Sequence, residues 1–226
     1  MGAKMSSSTR NKIFAILAGG LVLGVGGTAT LAAWVDNEWV YGGSGGDTPG
    51  VGTSTFIVEQ DASSPFVDPG TWGNFATNPG DELTFGPTDP LALTPGDVVY
   101  APVALHTTAA SVAGTVELQS AVAASGVTGS DAGGALFAAL ELRVGVQTVV
   151  AGGTPPVCSA ATFGTYTLIA DGTGLGTVPT DPTEPITAAG ASNLHYCFEI
   201  SLASDAPASL MGRTVAPAWQ FISESS

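Results

Sequence analysis

Beyond residue 33 the chain is interrupted too often to sustain a long helix. Its 226 residues include 31 glycines and 15 prolines. Many fall in turn-forming groups such as Asp68-Pro69-Gly70, Asn78-Pro79-Gly80 and Thr94-Pro95-Gly96-Asp97. A helix interior tolerates proline at a cost of about 3 kcal/mol and glycine at about 1 kcal/mol. These groups suit the special backbone angles of tight turns instead. The stretches between them are short and rich in Val and Thr, which predicts strands.

Strands are predicted at residues 55–59 (TFIVE), 83–85, 98–107, 111–122, 141–150, 162–169, 194–202 and 213–222. Residues 134–140, rich in Ala and Leu after a glycine start, read as a turn or two of helix. Residues 171–191 have neither helical nor strand period and read as a long loop. The clearest alternation is in 194–202. It sets Leu194, Tyr196, Phe198 and Ile200 on one face and His195, Cys197 and Glu199 on the other. Short strands, scarce helix and frequent turns predict an all-β fold, a jelly-roll-like β-sandwich with one short helix.

The first 33 residues are of another kind. Lys4, Arg10 and Lys12 come without an acid, and residues 13–33 follow as an uncharged apolar run ending in Ala32-Ala33. A basic start, an apolar middle and small residues at the end describe a signal helix removed on export. Cleavage is expected between Ala33 and Trp34. The alternative is a retained anchor, since 21 residues at about 1.5 Å rise each just span a bilayer core. Five glycines, from Gly19 to Gly27, weaken that run as a stable helix. Three parts are therefore expected: a signal peptide (1–33), a short strand with a glycine-rich tether (34–52) and a sandwich domain (53–226). Any contact with membrane runs through the uncleaved leader alone.

The net charge is −14, but all 19 acids lie beyond Ala33, where only Arg143 and Arg213 remain as bases. Residues 34–226 thus carry two positive against 19 negative side chains, near −17. Such a surface repels phosphate backbones, so nucleic acid and anionic lipid are poor partners. The only cysteines, Cys158 and Cys197, predict one disulfide in an oxidising compartment.

No catalytic signature stands out. His106 and His195 each lie alone in a predicted strand and read as strand-surface residues. HExxH does not occur, and there is no phosphate-binding loop. The acids are scattered, and Asp131 and Asp171 in glycine-rich loops fit turn chemistry; calcium binding is the alternative, against which the absent EF-hand spacing stands. The expectation is a protein without enzymatic activity, catalytic residues, bound metal or other cofactor.

Residues 34–41 (WVDNEWVY) are aromatic and β-branched, and a flexible tether, GGSGGDTPGVG, follows them. Trp34, Val35, Trp39, Val40 and Tyr41 form a candidate assembly strand that pairs away from its own nearest neighbours. A frayed end with two surface tryptophans is the simpler alternative.

Three segments together resemble one family. Residues 12–42 resemble the alternate, SipW-dependent type of signal peptide, with a Thr-x-Ala-Ala-like end before Trp34, Asp36 and Glu38. Residues 93–118 (LTPGDVVYAPVALHTTAASVAGTVEL) resemble the Leu-x-Pro-Gly-Asp segment of the TasA/camelysin family, and 216–221 (APAWQF) are similar to its closing strand. These cover roughly a third of the chain, and the remainder looks like actinobacterial exported proteins with this signal. The resemblance implies processing by a SipW-type signal peptidase, a jelly-roll domain, and a place in the medium, at the cell surface or in biofilm matrix. It also implies a homo-oligomer or fibre in which the freed strand at 34–41 completes the next subunit's sheet. The tether and the cysteine pair depart from the fibre proteins. A monomeric surface binding module or adhesin, using loops 61–80 and 171–191, is the alternative function. A camelysin-like secreted metalloprotease is a third, against which the missing zinc motif stands.

Overall fold

A computed structural model describes residues 52–67 and 69–226, together with 11, 12, 14–16, 38 and 50. The chain divides into two units, residues 1–52 and 53–226. In the first, residues 11, 12 and 14–16 are helical and exposed, and Glu38 is exposed. The cleavage junction Ala33/Trp34 and the strand residues Trp34, Val35, Trp39, Val40 and Tyr41 lie outside the described residues. So does most of the predicted signal helix.

The second unit is the all-β sandwich with one short helix that the sequence predicts. Its strands are β1 (Val58–Asp61), β2 (Val98–Thr107), β3 (Gly114–Leu118), β4 (Val122–Ala123), β5 (Leu140–Val150), β6 (Thr167–Thr173), β7 (Thr183–Ile186), β8 (Ser192–Leu202), β9 (Pro217–Ala218) and β10 (Phe221–Ser225). The helix α1 (Ala135–Ala139) leads directly into β5. Antiparallel pairing gives a five-stranded sheet ordered β1-β2-β8-β5-β6 and a three-stranded sheet ordered β10-β3-β7. The short pair β4–β9 continues the β3–β10 ribbon, bridged where the Gln119 amide donates to the Gln220 carbonyl at 2.8 Å.

The pattern of period two decides which side chains fill the core. Tyr196 and Phe198 are fully buried, beside Leu194, Ile200 and Leu202 from the same face of β8. Val99, Val103 and Leu105 of β2 and Leu142, Val144 and Val146 of β5 join them. The rings of Phe221 and Trp219 close over this layer, 4.8 Å from Tyr196 and Phe198 respectively. Hydrophobic burial of this kind is the main stabilising term of the fold.

Some local expectations are corrected. Residues 83–85 are not a strand; Leu83 and Phe85 instead pack against the core, and pairing is limited to Gly86 opposite Tyr100. The predicted strand at 162–169 begins only at Thr167, because Phe163–Thr165 form a 3-10 turn. The region 171–191 is not one long loop: it holds the end of β6 and all of β7. Neither histidine is a strand-surface residue: His195 is buried, and the Trp72 ring covers His106.

Candidate functional site

The five-stranded sheet is covered on its outer face as well as its inner one. Asp61, at the end of β1, turns the chain back by accepting from the amides of Ser63 (2.8 Å) and Thr71 (2.6 Å). That turn lays Phe66 and Trp72 on the sheet. Trp72 stacks on His106 at 3.7 Å between centroids, and Phe66 meets His195 edge-on at 4.8 Å. The His106 Nε2 lies 3.2 Å from a Glu59 carboxylate oxygen. Gly70 is required here, since a Cβ would strike the Asp61 carboxylate and the Phe66 ring.

The disulfide secures a second cover. Cys158, in the loop after β5, is bonded to Cys197 in the middle of β8, with Cα atoms 5.3 Å apart. The tether holds Phe163 and Tyr166 against Tyr100. The Arg143 guanidinium sits 4.7 Å over the Phe163 ring while pairing with Glu199 at 2.9 Å and Asp171 at 3.7 Å. Burial, and then the Glu199 carboxylate, pushes the Tyr100 phenol up to about 12. Burial alone pushes Tyr166 up to about 12. A disulfide built into the fold in this way belongs to an oxidising environment.

The other arginine is also engaged. Arg213 reaches Asp131 at 3.1 Å and the carbonyls of Ala132 and Ser209 at 2.8 and 3.0 Å. Asp131 in turn accepts from the amides of Leu136 and Phe137 at the start of α1, each at 2.9 Å. Burial works against its ionisation. The two amides and the guanidinium outweigh that and hold its carboxyl below the usual range.

Sheet edges are where a sandwich of this kind meets other chains, and the four edges are treated differently. At β1, Gln60 exchanges hydrogen bonds with Gly73 at 2.9 and 3.0 Å, so a loop covers the edge. At β6, the Ile169 carbonyl accepts from Thr180 at 2.8 Å. At β7, the Pro182 carbonyl faces β3, accepting from Leu118 at 3.1 Å, and alternation turns Pro185 to the open side, where it removes a donor that an added strand would need. Among the described residues, β10 pairs with β3 alone.

Register shows which groups β10 leaves open. Gln220 and Ser226, flanking the strand, both bond toward the β3 side. Antiparallel alternation then points the backbone groups of Ile222 and Glu224 inward to β3, and those of Phe221, Ser223 and Ser225 to the open side. Ile222 is 41% exposed, and Phe221 is partly buried against the core. Among the described residues, no strand pairs with these outward donors and acceptors, which lie next to apolar surface.

Among the described residues, no three His, Cys, Asp or Glu side chains are arranged to hold a metal. No described helix is long and apolar enough to cross a membrane. Of the site residues read from sequence, the structure joins Cys158 to Cys197, while Ala33, Trp34, Val35, Trp39, Val40 and Tyr41 lie outside the described residues. Sequence reading missed the open edge at β10. Its available signal was negative: unlike β7, β10 carries no proline.

The fold and its surface define a disulfide-braced antiparallel β-sandwich in which, among the described residues, the β10 edge is unpaired. No protein-family model matches the chain, and no curated protein matches it either.

Proposed function

We propose that this is an exported, non-catalytic structural protein of the cell surface or biofilm matrix, which self-associates by strand addition. Residues 34–41 of one copy, freed by cleavage after Ala33, pair with the β10 edge of the next. The observation that supports this reading is the β10 edge, which no described residue covers, against three edges that are covered or interrupted by proline. The resemblance of residues 12–42, 93–118 and 216–221 to the TasA/camelysin family supports it as well. Residues 42–52 form a leash of 11 residues, six of them glycine. At up to about 3.5 Å each, such a leash spans at most about 40 Å. Donation from one copy to the next is head-to-tail, so it grows an open filament rather than a closed pair.

The test compares the secreted protein with a form lacking residues 34–41, by size exclusion and electron microscopy. The intact protein is expected to form filaments and the shortened one to stay monomeric. Equal behaviour of the two refutes the reading. Ser223→Pro adds a second arm, because it removes an outward donor of β10 and spares the ladder to β3. It should also abolish assembly while the circular dichroism spectrum is retained.

A second reading is a monomeric binding module. The exposure of Val67 (64%) and Phe75 (45%) on the loop after β1 favours it. On this reading the intact protein stays monomeric at high concentration, and Val67→Ser with Phe75→Ser reduces its retention on purified cell wall.

A further inference from the structure

The two arginines of the sandwich are its only basic side chains apart from the histidines, and both are occupied internally. Arg143 lies between Glu199 and Asp171, and Arg213 between Asp131 and two carbonyls. Lysine occurs only at Lys4 and Lys12, inside the leader. A copy that has lost residues 1–33 therefore presents about 17 net negative charges and no lysine to its neighbour. The joining parts share the same sign. The donor segment holds Asp36 and Glu38, and the acceptor edge holds an exposed Glu224, with an exposed Glu117 opposite Ile222 on β3.

We infer that assembly is gated by cations of the medium acting through diffuse screening: copies repel one another at low ionic strength and polymerise once salt collapses that repulsion. The inference rests on the strand-addition reading above. A strand added to β10 lies about 4.8 Å from it, so donor and acceptor carboxylates come well within one screening length of each other. That length is about 30 Å at 0.01 M salt, where whole copies repel, and about 8 Å at 0.15 M. Because both guanidiniums are already paired within their own subunit, added salt removes repulsion without weakening a cross-subunit ion pair of side chains. The dependence should therefore run opposite to that of interfaces built from paired charges.

The experiment follows secreted protein, dialysed to 10 mM salt, by sedimentation while sodium chloride or tetramethylammonium chloride is raised to 500 mM. The critical concentration is expected to fall by about 10-fold or more, equally for the two salts at matched ionic strength. The variant Asp36→Asn, Glu38→Gln, Glu224→Gln should assemble at lower salt than the parent. A critical concentration unaffected by salt overturns the gating and leaves strand addition standing. So does a strong preference for one cation, which indicates a specific ion site. An unchanged salt midpoint in the triple variant also overturns it, since that is the signature of salting-out. Monomer at every salt concentration removes the strand-addition reading itself, and the gating with it.

Discussion

At the scale of single residues, Asp131 shows most directly how charge is coupled to folding. Its carboxyl is held below its ordinary value of 3.8 by the Leu136 and Phe137 amides and by Arg213, against the opposing effect of burial. A carboxyl with a depressed folded value adds stability above the unfolded value, and this is lost as pH falls through the folded one. Urea midpoints measured from pH 5 down to pH 2 should therefore drop less steeply in Asp131→Asn than in the parent. Parallel curves would show that Asp131 contributes nothing to the acid limb. Much at this scale was legible in sequence. Alternation alone placed Tyr196 and Phe198 in the core and Cys197 and Glu199 on the other side. What it does not carry is the depth of that other side. A polar-looking face usually meets water, whereas here two loops lie across it, so His195 is only 3% exposed. Sequence period reports which face a side chain takes, not what a distant loop later places upon it.

The elements repeat this division between local and non-local information. Val98–Thr107 is both the predicted and the observed β2, because its Val-rich run is bounded by Pro-Gly-Asp and by a turn. The strand β7 went unread, since four residues with a central proline carry no period; it forms because β3 supplies a partner at the matching register. The edge at β10 was illegible for the same reason: the strand expected at 213–222 is two short strands, β9 and β10, of which β10 runs on to Ser225, and no sequence period reports its neighbours. The disulfide was legible by counting, as only two cysteines exist. Closing a loop with a sequence separation of 39 should stabilise the domain by about 3–4 kcal/mol through the unfolded state. Cys158→Ser with Cys197→Ser is expected to lower the unfolding free energy by that amount in urea titration. A loss under about 1 kcal/mol would mean that the aromatic contacts of Phe163 and Tyr166 hold the cover unaided.

For the whole molecule, the sequence offered class and charge but no arrangement. Glycine and proline spacing were enough for a β-sandwich, and the acid count for a strongly negative protein. That both guanidiniums are engaged by the protein's own carboxylates emerges only when β5, β6 and β8 lie side by side around Arg143 and the loop before α1 meets Arg213. One outcome concerns resistance to proteolysis. A protease of trypsin type has two bonds to cut in residues 34–226, Arg143–Val144 and Arg213–Thr214. The first lies within β5, hydrogen-bonded on both sides, and the second follows a guanidinium held by three oxygen atoms. Folded protein should resist overnight trypsin, and cleavage should appear only in denaturant, as three fragments on a gel. Rapid nicking of the native form would mean that one of those guanidiniums spends its time free, and that digestive enzymes reach what the fold was expected to withhold.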